Sequence, residues 1–600
     1  MMRQIFVICA LLSLLAFQQC RGTGEYILNT SKCKIPNIDA FNEEVKSIMQ
    51  PSGYISCNAS ELLTYVTKTN TSAVLHLRKD LLPQYSPKEI KCCYSYVSRN
   101  GSVQYPDEGI TMTKCKRFRE KVLLKYDSVM VNCTEFDEEK NLSRTVYENV
   151  HNPILVKDSL KEKLKSGGTK PISVLLVVVD SVSRLNFIRT MPQSYDFLLK
   201  SDFVEMKGYT KVDDNTFPNA MAFLTGFNLS KSYQICKPGS VKGLNNCPMI
   251  WYDYRNLGYV TAYAEDDTPI GTFNYQKKGF AEPPTDYYFK PHLEASETLK
   301  IVKTFTMPYC TGPESAGERV LNLAKDFAIT FKNHSSFGMF WMNTFSHNDI
   351  NAPYGMDTKV KQFFLDIRNA GVLNDSIVIF LSDHGVRYGN IRTTQSGWFE
   401  ERMPVNMISV PKHFRMKFNR QYKNLKDNSN KLTSTYDLYM TLQHVLTLSG
   451  LPYNVTRSSS CPKCVSLFQK IPTRRSCKDA GIPFQWCTCM GHFHTIDSKE
   501  VLARNATELA LTRIKNVIRT KFSGSHCVDY SLEEILSASI SESVSSNNKM
   551  KHLFLVFKTT SQNVFLTTVK FKQFVNVNST FYAIRSNNMH YCITRSQEKL

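Results

Sequence analysis

The chain lacks long apolar runs and is short of acidic side chains. In its 600 residues the apolar run at 5–17 is too short to cross a bilayer. No later run approaches the length of about 20 residues that a membrane helix needs, so we expect no transmembrane segment. There is no internal repeat and no collagen-like or low-complexity bias, and 42% hydrophobic with 12% aromatic residues is typical of a globular protein.

The chain has 53 Asp and Glu residues against 74 Lys and Arg residues, which gives a net charge of +21. This charge favours anionic partners, namely an anionic small molecule, a lipid headgroup or a glycan. No zinc-finger, RNP or basic-zipper pattern accompanies it, so we expect no nucleic-acid partner. The densest basic stretch, residues 412–431, is equally explained by an ordinary solvated surface. The sequence specifies no oligomeric state.

Three features predict a secreted glycoprotein. Residues 1–22 carry Arg3 and then the short apolar run, which is the pattern of a signal peptide. The 18 cysteines fall to an even number if Cys9 and Cys20 leave with that peptide, which suits disulfides in an oxidising compartment. About a dozen N-glycosylation sequons occur, including those at Asn58, Asn132, Asn228, Asn374, Asn505 and Asn578.

Two close cysteine pairs also have the spacing of zinc ligands. They are Cys461 with Cys464 and Cys487 with Cys489, and two histidines follow at His492 and His494. In a secreted chain disulfides are the ordinary use of such cysteines, so we expect disulfides here.

The apolar runs and the cysteines divide the chain into segments. After the signal peptide come a disulfide-rich region at 23–168, a catalytic domain at 169–452 and a cysteine-containing, β-rich region at 453–600. Residues 172–179 form a nearly continuous β-branched run, typical of a strand buried in a parallel sheet. Strand-like runs at 259–263, 337–342, 377–381 and 407–410 then alternate with helical patterns at 320–327 and 360–367. The alternation predicts an α/β fold with a mostly parallel central sheet and helices on both faces.

Polar side chains with metal-binding chemistry follow two of these strands. Asp180 comes directly after the first, and Asp383 and His384 follow the run at 377–381. Because the carboxyl ends of parallel strands converge, we expect these groups to hold one divalent cation, with Thr216 completing the site. Zinc or manganese is favoured and calcium is an alternative. The Thr216 hydroxyl, activated by the cation, would attack phosphorus or sulfur before transfer to water or another acceptor.

Residues near this set are candidates for substrate binding. Asn215 precedes Thr216 and can donate to a phosphoryl oxygen, and the Arg387 guanidinium suits an anionic oxygen. For Arg387, as for Arg392 and Arg402, a structural ion pair with Glu400 or Glu401 is an equally favoured interpretation. Arg184 has the same two interpretations.

The motifs resemble a known family. They are Val-Asp-Ser-Val-Ser-Arg from 179, Asp-Asn-Thr-Phe-Pro-Asn from 214 with Leu-Thr-Gly from 224, Phe-Ser-His-Asn-Asp from 345, and Ser-Asp-His-Gly-Val-Arg-Tyr-Gly from 382 with Glu-Glu-Arg-Met-Pro from 400. Together they are similar to the sulfatase-like family called domain of unknown function 229, within the alkaline-phosphatase-like superfamily. The resemblance covers residues 173–451 and implies an alkaline-phosphatase-like fold.

The resemblance also implies roles for particular residues. Asp180, Thr216, Asp383 and His384 would ligate the metal, with Thr216 as nucleophile. Sulfatases instead use Cys or Ser at that position, with Arg four residues later. Thr216 cannot form their aldehyde and Ala220 occupies the Arg position, which favours phosphoryl chemistry over sulfate-ester hydrolysis.

A second metal position has less support from the resemblance. Two-zinc relatives use an Asp and a His four residues apart, followed by a distant His, whereas this chain has Asn343 and His347. An amide is a poor ligand, so one ion is better supported than two. His347 would then bind the phosphate or the leaving group, and Asp349 would orient it or ligate a metal. His492 and His494 are the candidates for the distant ligand.

The sequence therefore predicts a secreted, metal-dependent phosphoryl-ester hydrolase or phosphotransferase with a Thr nucleophile. Sulfate-ester hydrolysis and a catalytically inactive protein that binds anionic glycans are the alternatives.

Overall fold

The computed structural model describes residues 25–69, 71–137, 142–164, 170–521, 530–541, 550–572 and 578–585. The predicted signal peptide at 1–22 and four cysteines, Cys9, Cys20, Cys527 and Cys592, lie outside the described residues. The chain forms two compact units, Ala40–Cys487 and Met1–Asp39 with Thr488–Leu600. The division into regions at 169 and 452 stays a prediction.

A seven-stranded sheet forms the centre of the Ala40–Cys487 unit. Its strands in chain order are Ser173–Val179 (β1), Val204–Glu205 (β2), Val260–Glu265 (β3), Tyr287–Tyr288 (β4), Ser336–Met342 (β5), Ser376–Leu381 (β6) and Asn406–Ser409 (β7). The spatial order is β2-β7-β6-β1-β5-β3-β4. β1 is parallel to β5 and β6, and β3 is parallel to β5 and β4. The strand predicted at 407–410 is β7, which is antiparallel to β6 and β2.

Both faces of this sheet are buried, because β1 is apolar at almost every position. Val174, Leu176 and Val178 face one hydrophobic cluster, which also contains side chains of the helices Thr216–Thr225 and Thr435–Leu448. Leu175, Val177 and Val179 face another, which contains side chains of Ala316–Thr330 and Asp357–Asn369. The predicted α/β fold with helices on both faces is confirmed.

The helices of this unit include those predicted at 320–327 and 360–367. In chain order they are Glu43–Lys46, Leu82–Tyr85, Lys161–Leu164, Arg184–Thr190, Pro192–Lys200, Thr216–Thr225, Leu229–Cys236, Ile250–Asn256, Lys290–Ser296, Ala316–Thr330, Asp357–Asn369, Gln395–Arg402, Lys412–Lys417, Asn419–Asn428 and Thr435–Leu448. Short 3-10 turns are Lys79–Leu81, Asp158–Leu160, Ala352–Met356, Val372–Asn374, Asn390–Thr393, Lys478–Ala480 and Phe484–Trp486.

Smaller antiparallel sheets make up the region before the central sheet. Thr64–Lys68, Ala73–Leu77 and Lys121–Leu124 form one, and Ile90–Arg99, Ile110–Met112, Lys116–Phe118, Val129–Asp137 and Leu142–His151 form another. Two disulfides, Cys92–Cys133 and Cys93–Cys115, lie within the second of these sheets and its connections. A third, Cys57–Cys310, joins this region to the later chain. Further short strands are Gly208–Thr210 with Leu432–Ser434, and Ile301–Thr304 with Met307–Thr311 and Glu314–Ser315.

The other unit is β-rich among its described residues. Its strands are Tyr26–Asn29, Lys34–Pro36, Phe493–Thr495, Leu532–Ser541, Met550–Thr559, Val564–Lys572 and Asn578–Arg585. Its helix Val501–Lys521 was not predicted from the sequence.

The cysteines with zinc-like spacing form disulfides. Their bonds are Cys461–Cys464, Cys477–Cys487 and Cys33–Cys489, and a further bond joins Cys236 to Cys247. The zinc interpretation of these cysteines is therefore wrong, since a disulfide sulfur is not a thiolate ligand. No helix among the described residues is both long enough and apolar enough to cross a bilayer.

Candidate metal centre and nucleophile

The ends of β1 and β6 place three metal-binding groups together. Asp180 follows β1 directly, and Asp383 and His384 follow β6 after one serine. Because β1 and β6 are adjacent and parallel, these residues meet at the same sheet edge. All three are buried, and one ligand atom from each lies within 4.8 Å of the others.

Thr216 brings its hydroxyl into this group. It is the first residue of the helix Thr216–Thr225 and is half-buried. Its Oγ donates to Asp180 Oδ2 at 3.1 Å and lies 3.3 Å from His384 Nε2. The structure thus brings together the four residues that the sequence predicts as metal ligands.

The hydrogen bonds of His384 show which ring nitrogen is free to bind a metal. Its Nδ1 lies 3.0 Å from the carbonyl oxygen of Gly385, which can only accept a hydrogen bond, so Nδ1 carries the proton. Burial, with the nearby cations Arg387 and Lys211, holds the His384 pKa well below its ordinary value. The ring is therefore neutral and Nε2 presents a lone pair.

That lone pair faces another acceptor. Nε2 of His384 lies 3.1 Å from Asp383 Oδ2, a buried oxygen that accepts no hydrogen bond. Burial, and then the charge of Asp180, raises the pKa of the Asp383 carboxyl, so its charged form is unfavourable in this position unless a cation lies beside it. Buried acceptors without donors are costly, and a divalent cation between them removes the cost. The donor set present therefore fits a metal ion.

The backbone at Ser181 is strained in a way that fixes Asp180. Ser181 has a φ of 61°, in the left-handed region that residues other than glycine rarely adopt. Its amide donates to Asp383 Oδ1 at 3.3 Å and its hydroxyl donates to Asp180 Oδ1 at 2.6 Å. The strained turn therefore links the two carboxylates.

Asn219 shapes the loop before Thr216. Its buried side chain accepts from the amides of Val212 and Asp213 at 2.9 and 3.2 Å. It also donates to the carbonyl oxygens of Asp213 and Asn215, both at 2.9 Å. The sequence analysis gave Asn219 no role. Asn215 itself is exposed and its side chain makes no capping bond to the helix, which leaves it at the mouth of the site.

A buried lysine, which sequence reasoning missed, supports the same loop. Lys211 Nζ donates to the carbonyl oxygen of Asp214 at 3.0 Å and pairs with Glu401 Oε1 at 3.2 Å. Burial lowers the Lys211 pKa to about 8, although Glu401 opposes that shift. A single lysine after a short strand gives no sequence signal, and its partner lies 190 residues away.

Glu401 also holds the loop that carries the metal-binding pair. Its carbonyl oxygen accepts from the Gly385 amide at 3.1 Å. Its carboxylate pairs with Arg392 at 3.3 Å and with Arg402 at 3.5 Å. For these two arginines the structure confirms the ion-pair interpretation.

Arg387 and Arg184 have other partners. Arg387 pairs with Asp214 at 2.9 Å, so the expected partners Glu400 and Glu401 are wrong for this residue. Arg184 pairs with Glu205 at 2.8 Å. The charge of the Arg387 guanidinium contributes to lowering the His384 pKa.

The residues after β5 do not form a second ligand group. The Asn343 side-chain amide donates to the Asp266 carbonyl oxygen at 2.7 Å and to Glu265 Oε1 at 3.3 Å. Asp349 Oδ1 accepts from the Asn351 amide at 2.7 Å. Among the described residues, the only other cluster of ligating side chains besides Asp180, Asp383 and His384 is the set of disulfide-bonded cysteines.

His347 lies at the open side of the site. Its Nδ1 is 2.6 Å from Asn348 Oδ1, and its ring centroid is 5.6 Å from that of the exposed Tyr388. His347 and His384 are close enough to interact electrostatically. In the other unit, His492 Nε2 lies 3.3 Å from the Glu25 carbonyl oxygen.

Solved structures similar to this chain share little sequence with it. The lipoteichoic acid synthase LtaP from Listeria monocytogenes is 12% identical with a TM-score of 0.34, over 52% of this chain and 81% of that one. A protein in the alkaline phosphatase superfamily from Vibrio parahaemolyticus is 11% identical with a TM-score of 0.35, over 71% and 85%. The phosphonate monoester hydrolase SpPMH from Silicibacter pomeroyi is 10% identical with a TM-score of 0.35, over 71% and 94%. At these values the likenesses assign no activity to this chain.

The sequence itself matches a family. No curated protein matches it. The family described as "Protein of unknown function (DUF229)" matches residues 50–536, a range that contains all the candidate site residues and most of the chain. The chain therefore belongs to the DUF229 family of proteins of unknown function.

Proposed function

We propose that this protein is a metal-dependent phosphoryl-ester hydrolase or phosphotransferase whose nucleophile is Thr216. One observation carries the proposal. The Thr216 hydroxyl lies 3.1 Å from Asp180 Oδ2 and 3.3 Å from His384 Nε2, inside the cluster where Asp383 Oδ2 has no donor. A hydroxyl among three metal-binding groups at a sheet edge is the arrangement that an activated alcohol nucleophile requires.

Asp180, Thr216, Asp383 and His384 would hold the divalent cation. An imidazole nitrogen with carboxylate oxygens suits zinc or manganese, whereas calcium prefers oxygen ligands alone. When bound, the ion lowers the pKa of a coordinated hydroxyl and polarises the phosphoryl group.

The remaining chemistry belongs to side chains of this chain. Thr216 Oγ forms a bond to phosphorus while the bond from phosphorus to the leaving oxygen breaks. The hydroxyl proton passes to Asp180 Oδ2, its present acceptor. His347 donates a proton to the leaving oxygen. In the second step water or another acceptor attacks phosphorus and gives its proton to His347, while the bond from phosphorus to Thr216 Oγ breaks and the proton on Asp180 returns to that oxygen. Asn215 and Arg387 bind the non-bridging oxygens.

A secreted, N-glycosylated state forms part of the proposal. The disulfides support an oxidising compartment. Three sequon asparagines, Asn228, Asn374 and Asn505, are exposed and therefore accessible to glycosylation.

The test is turnover of bis-nitrophenyl phosphate by protein loaded with zinc or manganese. Thr216→Ala should lose at least about a thousandfold in kcat, and acid-quenched wild-type protein should carry a nitrophenyl phosphoryl group on Thr216 by mass spectrometry, since only one nitrophenolate leaves in the first step. Thr225→Ala, at the other end of the same helix, is the matched control and should retain activity, because its hydroxyl bonds backbone groups, donating to the Met221 carbonyl oxygen and accepting from the Phe227 amide. Equal turnover by wild type and Thr216→Ala would show that the assigned nucleophile is wrong.

Two further measurements separate the alternatives. Metal analysis should find one ion per chain in wild type and less in Asp383→Asn. Nitrophenyl sulfate, assayed in parallel, should be turned over more slowly than the phosphate. Faster sulfate turnover would favour the sulfate-ester hydrolase, and heparin binding without any turnover would favour the glycan-binding protein.

A further inference from the structure

Lys277 places an ammonium group without a paired carboxylate against the ring of the residue that follows the nucleophile. Its Nζ lies 4.4 Å from the centroid of the Phe217 ring, and Phe217 is the residue after Thr216. The ammonium donates to the carbonyl oxygen of Tyr275 at 2.8 Å. Across the described ranges, no carboxylate oxygen lies within ion-pair distance of it. A half-buried cation with one neutral acceptor keeps donors available for an anion.

The acidic group that interacts with Lys277 already accepts hydrogen bonds from other residues. Glu265 is the carboxylate that interacts electrostatically with Lys277. One of its oxygens accepts from the Tyr263 hydroxyl, and the other accepts from the amide and hydroxyl of Thr272, both at 2.8 Å, and from Asn343. Burial also raises the Glu265 pKa, which weakens it further as a counter-charge.

These contacts connect the ammonium to two segments that carry candidate site residues. Phe217 adjoins the nucleophile in one segment. Glu265 ends β3 and contacts Asn343, which begins the other segment, the one that leads to His347. Burial lowers the Lys277 pKa to about 8, so the group is still mostly charged at neutral pH.

Two exposed tyrosines contact Phe217 and Lys277, Tyr233 through its ring and Tyr275 through its backbone carbonyl. Tyr233 is 51% exposed and Tyr275 is 54% exposed. The Tyr233 ring meets Phe217 edge-on with centroids 6.0 Å apart. Tyr275 supplies the carbonyl oxygen that holds Lys277. Accessible aromatic rings next to a bound cation can cover a sugar or a base.

We propose that Lys277 binds a second anionic group of the substrate, distinct from the ester that is cleaved, while Tyr233 and Tyr275 cover the ring that joins the two groups. The substrate class is then a ring compound with two anionic groups, such as a sugar bisphosphate or a nucleoside bisphosphate. This inference rests on the proposed function for the cleaved ester, but it makes a separate statement about binding.

Turnover tests the inference first. Glucose 1,6-bisphosphate is compared with glucose 1-phosphate, and adenosine 3′,5′-bisphosphate with AMP, by phosphate release. Wild type should prefer the bisphosphate of at least one pair. In Lys277→Met this preference, as a ratio of kcat/KM values, should fall about 10- to 100-fold, the effect of one lost charge-assisted hydrogen bond. Lys277→Arg should restore most of it.

Lys278→Met is the matched control. The Lys278 ammonium lies over the Tyr105 ring at 3.5 Å rather than against Phe217, so its loss should leave the preference unchanged. An equal loss in both variants would mean that general surface charge binds the second group, and the proposal would be overturned. A preference that survives Lys277→Met would overturn it too.

A binding assay separates this inference from the proposed function. Thr216→Ala protein is titrated with the preferred bisphosphate, and with pyrophosphate as an anion without a ring, by calorimetry. Adding Lys277→Met should weaken binding of both about 10- to 100-fold, whereas adding Tyr275→Ala should weaken only the ring compound. If wild type hydrolyses no ester but these affinity differences hold, the proposed function fails and the subsite stands. Unchanged affinities would refute the subsite alone.

Discussion

The substitution Glu401→Gln tests whether one buried carboxylate supports both catalytic loops. Glu401 is surrounded by Lys211, Arg392 and Arg402. Burial would raise its pKa, but these three cations outweigh burial and hold the pKa well below its usual range. Glutamine keeps the volume and removes the charge, which leaves buried cations unpaired. Breaking a buried ion pair in this way costs about 3–5 kcal/mol, and we expect that loss in the free energy of unfolding.

Denaturant unfolding followed by tryptophan fluorescence measures this loss. Lys211 Nζ lies 3.8 Å from the Trp486 ring and the Arg402 guanidinium lies 4.0 Å from the Trp398 ring. Trp251 and Trp341 belong to the same unit, so the signal reports on the unfolding of the unit that contains the network. Adding Lys211→Met to Glu401→Gln should restore part of the stability, since it removes one of the unpaired charges.

The control for this experiment is an exposed pair in the same unit. Asp196 bonds Lys200 one helical turn away at 2.6 Å, and both side chains are mostly exposed. Asp196→Asn should change stability by less than about 1 kcal/mol. A loss below about 1 kcal/mol in Glu401→Gln as well would refute the reasoning from the buried charges.

Two further predictions concern the disulfides and a buried histidine. Replacing Cys57 and Cys310 by serine should cost about 5 kcal/mol by the loop-entropy estimate, against about 2 for the pair Cys461 and Cys464, because the enclosed separations are 253 and 3 residues. Equal losses in thermal stability would contradict that estimate. Burial lowers the pKa of His151 to about 4 from an ordinary 6.5, so folding favours its neutral form. The contribution of neutral His151 to the free energy of unfolding is present above pH 6.5 and is lost as pH falls toward 4. The melting temperature of His151→Gln should therefore fall less than that of wild type over this window. Melting temperatures that fall by the same amount in wild type and His151→Gln would contradict this prediction.

The central sheet was predictable because buried parallel strands have nearly continuous apolar sequences. β1, β5 and β6 each lie within a residue or two of the predicted runs. The direction of β7 was not predictable, since a short apolar run reads the same in parallel and antiparallel pairing. The helix Val501–Lys521 was missed because its buried residues include Ala503, Ala506 and Ala510, and alanine gives a weak hydrophobic signal.

Some residues of the candidate site could be predicted from the sequence and others could not. Asp180, Asp383 and His384 could be found from their places after strands, because strand ends converge at one edge. Lys211 and Glu401 could not be found, since a buried ion pair between residues 190 apart leaves no local pattern. The pairing of Arg387 with Asp214, rather than with the nearby Glu400 or Glu401, depends on tertiary contacts in the same way.

The support of two loops by Glu401 has a consequence for how the site can move. A Cβ at Gly385 would lie only 2.0 Å from the Glu400 carbonyl oxygen, so the loop with the metal-binding pair rests directly on this backbone. Lys211 ties the nucleophile loop to the same residue. The two loops must therefore shift as a single body, and opening one without the other would break buried ion pairs. Asn215 and Tyr388 are exposed by contrast, so their side chains can change conformation without breaking this buried network.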